Sequence, residues 1–195
     1  MTRRVGIFSG TFDPFHVAHL EACLVAKAAC ELDTVVVLVE KKPHRKTDVT
    51  SYDKRLAMID LALQEYPGIR LLESPGDNIT IDNTLPILEE QFEDAEYWYI
   101  IGSDVVGHLK HWTNADLLLS RLRLCVVLRS NEDADKTEEE LKILNQEYPE
   151  LGYRILPEVW SPLSSSKIRA EIAKSGYSQY VHREVMKYIV RNNIY

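Results

Sequence analysis

Two histidines three residues apart, His16 and His19, are the first residues of this chain whose type and spacing promise chemistry. They close the segment Gly10-Thr11-Phe12-Asp13-Pro14-Phe15-His16-Val17-Ala18-His19, which follows a short apolar run, Val5 to Ser9. Residues at that separation share one face of a helical turn, so a helix starting near His16 carries both imidazoles on one side. Pro14 suits a helix entrance, where a missing N–H costs nothing. Gly10, lacking a Cβ, lets backbone approach a ligand closely. The free N–H groups and dipole of the helix start favour an anion, and two imidazoles beside them make a site for phosphate oxygens gaining charge. Either histidine alone reads as a local cap or packing residue; the pair behind a glycine turn reads as a site. Zinc needs further ligands, and no Glu follows His16 as metalloprotease chemistry demands, so no metal site is expected here.

A second segment, Ser164-Ser165-Ser166-Lys167-Ile168-Arg169, opens a helix that continues through Ala170, Ile172 and Ala173. Serines before a helix are ordinary N-caps. With Arg169 in reach, the same hydroxyls and N–H groups also make a phosphate cradle. A triphosphate needs two anchors, one at its α-phosphate and one at the leaving β- and γ-phosphates, and the two segments supply one each. Gly102 and Asp104 follow the apolar run Tyr97 to Ile101, where a carboxylate meets ribose hydroxyls or caps the next helix. Trp112 lies in the polar stretch His108 to Asn114, placed either to stack on a ring or to cover the core. Asp13 is expected to cap the helix behind Pro14. The basic run Lys41 to Lys46 forms a flap over phosphates or a solvated loop.

The elements that must hold these residues alternate. Strands are expected at Val5–Ser9, Thr34–Val39, Ile69–Leu72, Tyr97–Ile101, Leu124–Leu128 and Tyr153–Leu156. Helices are expected at His16–Cys30, Tyr52–Glu65, Asp82–Phe92, Asp116–Leu122 and Glu138–Glu147, with two more opening at Ser165 and Val181. Apolar strands separated by helices require an α/β fold, a doubly wound, Rossmann-like parallel sheet covered on both faces. Its ligand sits at the carboxyl ends of the strands, where their order reverses. The length of 195 residues fits one domain, with a catalytic core over about 1–160 and the phosphate segment and final helices over about 161–195.

A net charge of -7 argues against a protein that grips nucleic acid over its whole surface. No run is apolar enough to span a membrane. Cys23, Cys30 and Cys125 form no metal pattern and read as reduced core thiols, which makes the cytoplasm the default address.

The segment Gly10 to His19 resembles the amino-terminal motif of the adenylyl- and cytidylyltransferases that use paired histidines, and Ser164 to Arg169 resembles their second phosphate motif. Further matches lie in Lys42-Pro43-His44-Arg45-Lys46, Arg55-Leu56-Ala57-Met58, Thr80-Ile81-Asp82, Gly102-Ser103-Asp104 with Trp112, and Tyr188-Ile189-Val190-Arg191. As a whole the chain most resembles the bacterial nicotinate mononucleotide adenylyltransferase family. That resemblance implies in-line attack by an acceptor phosphate on the α-phosphorus of ATP, with no covalent enzyme intermediate. It implies His16, His19 and Arg169 as the catalytic set. ATP is then expected at Gly10, Thr11, Phe12, His16, His19, Gly102, Asp104, Ser165, Ser166 and Arg169, with Mg2+ carried on the triphosphate. The mononucleotide acceptor is expected at Thr11, Phe12, His44, Thr80 and Trp112.

The chain departs from the family pattern at several positions. Ser9 replaces the first of two glycines before the Thr, Asn78-Ile79 replace a Ser-Tyr pair, and Val181-His182-Arg183 lack a usual proline. Ile79 cannot supply a phenolic contact, which leaves nicotinamide mononucleotide and phosphopantetheine as alternative acceptors. A nucleotide-binding sensor without turnover is the alternative from another class.

Overall fold

The computed structural model describes residues 2–43, 46–158 and 163–195. Six strands, β1 (Arg4–Gly10), β2 (Thr34–Val39), β3 (Ile69–Leu72), β4 (Glu96–Gly102), β5 (Arg123–Val127) and β6 (Tyr153–Leu156), form one sheet in the order β3-β2-β1-β4-β5-β6. Every neighbouring pair is parallel, which is the expected Rossmann-like architecture. The order reverses between β1 and β4: from β1 the chain builds outward to β2 and β3, and from β4 it builds the other way. A crevice therefore opens above the carboxyl ends of these two strands, at Gly10 and Gly102.

The helices are α1 (Val17–Ala29), α2 (Tyr52–Leu63), α3 (Ile81–Gln91), α4 (Ala115–Arg121), α5 (Ala134–Glu147), α6 (Ser165–Ser175) and α7 (Arg183–Arg191). Strand side chains alternate between two cores, as a pleated sheet covered on both faces requires. Val35, Val37 and Val39 of β2 join Cys23, Met58, Ile168 and Val185 beneath α1, α2, α6 and α7. Val36 and Leu38 join Leu85, Leu118 and Leu141 beneath α3, α4 and α5 on the other face. All three cysteines are buried free thiols, with the Sγ atoms of Cys30 and Cys125 3.3 Å apart. No helix among the described residues is long and apolar enough to cross a membrane.

Two stretches differ from the sequence-based reading. Residues Ser103–His111, to which the sequence-based reading assigned no element, form a 3-10 helix that buries Val106 and Leu109 and is capped by Trp112. Helix α5 starts at Ala134, ahead of the expected Glu138, because a short 3-10 turn at Asn131–Asp133 feeds directly into it. The Ser130 hydroxyl receives the Glu132 N–H at the start of that turn.

Candidate active site

His16 and His19 are brought together as their spacing demands. His16 is the N-cap of α1 and His19 lies one turn in, and the rings stack with centroids 3.7 Å apart at 25°. The His16 backbone N–H donates to Nδ1 of His19 over 3.3 Å, so in the neutral His19 ring the proton sits on Nε2. Phe12 and Phe15 pack against the His19 ring, with centroids 4.9 and 5.3 Å away. His16 is only 4% exposed, yet neither ring nitrogen has a hydrogen-bond partner. A buried polar group left unpaired costs about 1–3 kcal/mol, which marks a group kept for a ligand.

Burial, and then the nearby charge of Arg129, push His16 down to about 4. Burial, then His16, Arg129 and Lys46, hold His19 well below the usual imidazole range. Both rings are therefore neutral hydrogen-bonding groups near pH 7.

The turn before α1 is fixed from several directions. Phe12 adopts φ 50, a left-handed conformation that side chains larger than glycine avoid. Its ring lies over Gly10, 3.0 Å from where a Cβ would stand, so the bare Cα of Gly10 makes room for Phe12 in addition to any ligand. Asp13 does not cap α1. One carboxylate oxygen receives the Thr50 N–H at 3.1 Å and the other the Tyr195 hydroxyl at 2.5 Å. His16 takes the capping position because the chain needs two more residues beyond Pro14 before it turns helical.

Arg55, 1% exposed, donates from Nη1 to the Thr11 carbonyl (2.8 Å), from Nε to that of Thr50 (2.8 Å) and from Nη2 to that of Lys41 (3.3 Å). It clamps the turn after β1 to the chain beyond β2. Arg55→Ala leaves three carbonyls without their donor, the buried one of Thr11 among them, and should cost about 3 kcal/mol in a urea unfolding titration. An unchanged urea midpoint would mean that the clamp is dispensable.

The segment Ser164–Arg169 opens α6 and reaches the turn before α1. Ser164 caps α6, its hydroxyl receiving the Lys167 N–H, and the Ser165 hydroxyl donates to the Pro14 carbonyl at 3.1 Å. Arg169 donates from Nη1 to the Asp13 carbonyl at 2.8 Å and from Nη2 to the Ser166 hydroxyl at 3.4 Å. A cavity of about 1550 Å3 is lined by His16, His19, Ser165, Ser166 and Arg169. Gly10, Thr11, Phe12, Gly102, Thr80 and Trp112 line the same space. It exceeds the usual range of ligand pockets, roughly 300–1,000 Å3, and has room for two substrates.

Thr80 is the N-cap of α3, with its N–H donating to the Asn83 side chain at 3.1 Å, so the start of α3 faces the cavity beside Ile79. Trp112 is half-buried and edge-on to Tyr99, centroids 6.0 Å apart at 84°, which makes it both a cover of the core and a wall of the cavity. The Tyr99 hydroxyl pairs with that of Ser9 at 2.5 Å on the cavity floor. The Thr11 hydroxyl donates to Glu40 and accepts from Lys46, both at 2.9 Å, so the basic run reaches the cavity through Lys46. His44 lies outside the described residues.

Asp104 does not cap the 3-10 helix, whose N-cap is Gly102. It stands in the first turn, outside the set of residues that line the cavity, and pairs at 2.7 Å with Nε of Arg129, which does line it. Arg129 was missed by the sequence reading. It lies just beyond β5, on the same edge of the sheet as Gly10 and Gly102, and the position rule used for β1 and β4 would have found it.

A doubly wound sheet with paired neutral imidazoles and an arginine-bearing helix start on one cleft defines a nucleotidyltransferase. The chain belongs to the cytidylyltransferase-like family, whose sequence pattern matches residues 7–171. Among curated relatives, it is 30% identical to the "probable nicotinate-nucleotide adenylyltransferase" of Neisseria meningitidis serogroup C over 99% of this chain and 98% of that protein. The protein of the same description from Gloeobacter violaceus is 30% identical over 100% of this chain and 97% of its own length. Among solved structures, the Plasmodium falciparum nicotinic acid mononucleotide adenylyltransferase complexed with NaAD superposes with a TM-score of 0.76 at 19% identity. That match covers 98% of this chain and 97% of the other.

Proposed function

We propose that this chain transfers the adenylyl group of ATP to nicotinate mononucleotide, forming nicotinate adenine dinucleotide and pyrophosphate in the biosynthesis of NAD. One observation carries the reading. The buried His16 ring, unpartnered at both nitrogens, lines the cleft that Ser165 and Arg169 reach from the far end of the chain. The names of the full-length relatives support the choice of reaction and acceptor.

An oxygen of the acceptor phosphate attacks the α-phosphorus. The bond from phosphorus to the α–β bridging oxygen breaks, and its electron pair leaves with pyrophosphate. The attacking oxygen is already anionic, so no general base is required, which suits imidazoles held neutral. His16 and His19 donate to the α- and β-phosphate oxygens as charge moves onto them, and neutral His19 does so from Nε2. Arg169 and the Ser165 and Ser166 groups at the α6 start hold the β- and γ-phosphates.

The two carboxylates lining the cavity are engaged, Asp13 by Thr50 and Tyr195 and Glu40 by Thr11. A magnesium ion fits best as a passenger on the triphosphate and water, where it would neutralise phosphate charge. At the other end, Thr80 and the N–H groups opening α3 receive the acceptor's ring carboxylate while Trp112 stacks on its ring. The reaction uses small phosphorylated metabolites and is assigned to the cytoplasm.

The test is pyrophosphate release from ATP with nicotinate mononucleotide, its amide analogue and phosphopantetheine in turn. Nicotinate mononucleotide should give the highest kcat/KM. Phosphopantetheine as the sole acceptor would overturn the pyridine assignment, and a preference for the amide would point to Ile79. ATP binding with no release for any acceptor would make the chain a sensor. Trp112→Ala should raise the KM for the mononucleotide roughly tenfold, the worth of one stacking contact, and move that for ATP far less. The opposite split would reassign the wall to ATP.

A further inference from the structure

We propose that Arg129, paired with Asp104 in this structure, is a triphosphate-binding residue, and that a bound nucleotide separates the pair by taking one partner at each end. The inference rests on the proposed function and adds to it a residue and an exchange of partners.

Four observations meet at this residue. The Arg129 backbone is anchored, its N–H donating to the Ser103 hydroxyl at 3.0 Å, so the side chain leaves from a fixed point at the carboxyl edge of the sheet. The side chain lines the cavity, and its charge is felt by both His16 and His19. Only Nε is engaged, on Asp104 at 2.7 Å; among the described residues the two terminal nitrogens make no hydrogen bond. An arginine fork left open on a cleft that also holds an orphaned imidazole is matched to a dianionic or trianionic phosphate chain.

The pair itself is built to part. Its side chains are 64% and 54% exposed, and an ion pair that open contributes little. It sits directly over Gly102, where a Cβ would come within 2.3 Å of the Asp104 carboxylate and 2.7 Å of Arg129 Nε. Any larger residue there would push the two side chains off the spot. A nucleotide offers each partner something better: ribose hydroxyls for the carboxylate and phosphate oxygens for the guanidinium.

The experiment is calorimetric titration of ATP and of adenosine into the wild type, Arg129→Ala, Arg129→Lys and Asp104→Asn. Arg129→Ala should weaken ATP at least about tenfold while adenosine binds as well as before or better, since Asp104 no longer has a partner to leave. Arg129→Lys should recover part of the ATP affinity, because charge is restored without the fork. Asp104→Asn should weaken adenosine. Equal loss for ATP and adenosine in Arg129→Ala, or no loss for ATP, would overturn the proposal. A wild type that bound no ATP would instead overturn the function on which it stands.

Discussion

His16→Leu should be harder to unfold than the wild type and at least about a hundredfold slower in adenylyl transfer. The two effects come from one fact: a 4% exposed imidazole with neither nitrogen satisfied. A leucine of similar volume removes the unpaired polar atoms and, with them, a donor to the reacting phosphates. Stability should rise by about 1 kcal/mol in urea titrations at pH 7. Turnover near that of the wild type would remove the imidazole from the mechanism.

The same variant should change how the fold responds to acid. In the folded chain His16 is held at about 4 and His19 is also depressed, whereas in the unfolded chain both titrate near 6.5. Between those values the unfolded chain binds more protons, so stability is complete above about pH 6.5 and drains away as the pH falls towards 4. For His16 alone the loss amounts to about 3 kcal/mol. Urea midpoints at pH 7, 6 and 5 should fall steeply for the wild type and less steeply for His16→Leu. Equal slopes would show that His16 titrates normally.

Arg169→Ala should lower kcat/KM for ATP by roughly two to three orders of magnitude, with little change in the urea midpoint. Its guanidinium is steadied by the Asp13 carbonyl and the Ser166 hydroxyl, so the fork is already oriented when a phosphate arrives. Arg169→Lys should restore only part of the rate, because an ammonium cannot make the paired contact. If Arg169→Ala bound ATP and turned over as the wild type does, the α6 start would be a structural tie and not a phosphate site.

Much of this was legible in the chain. The β-branched run Thr34–Val39 could hardly be anything but a buried parallel strand, and it is one from end to end. The His16–His19 spacing and the serines before Arg169 announced helix starts, and both are. What stayed hidden depends on distant partners. Asp13 looked like a cap because its neighbours are local, while its true partners, Thr50 and Tyr195, come from elsewhere in the sequence. The 3-10 helix at Ser103–His111 lacks the periodicity of an α-helix, and only the buried Val106 and Leu109 betray it. Arg129 follows a strand without any motif around it. Its meaning appears once β5 is seen beside β4, with Gly102 opposite Val127.

The bonds from Ser165 and Arg169 to residues 14 and 13, and from Tyr195 to Asp13, also set a timetable for synthesis. A ribosome delivers the paired histidines early, yet Ser165, Arg169 and Tyr195, which close the turn around them, emerge only with residues 165–195. The half-made chain on the ribosome therefore lacks the ties from α6 and from Tyr195 that fasten the turn before α1.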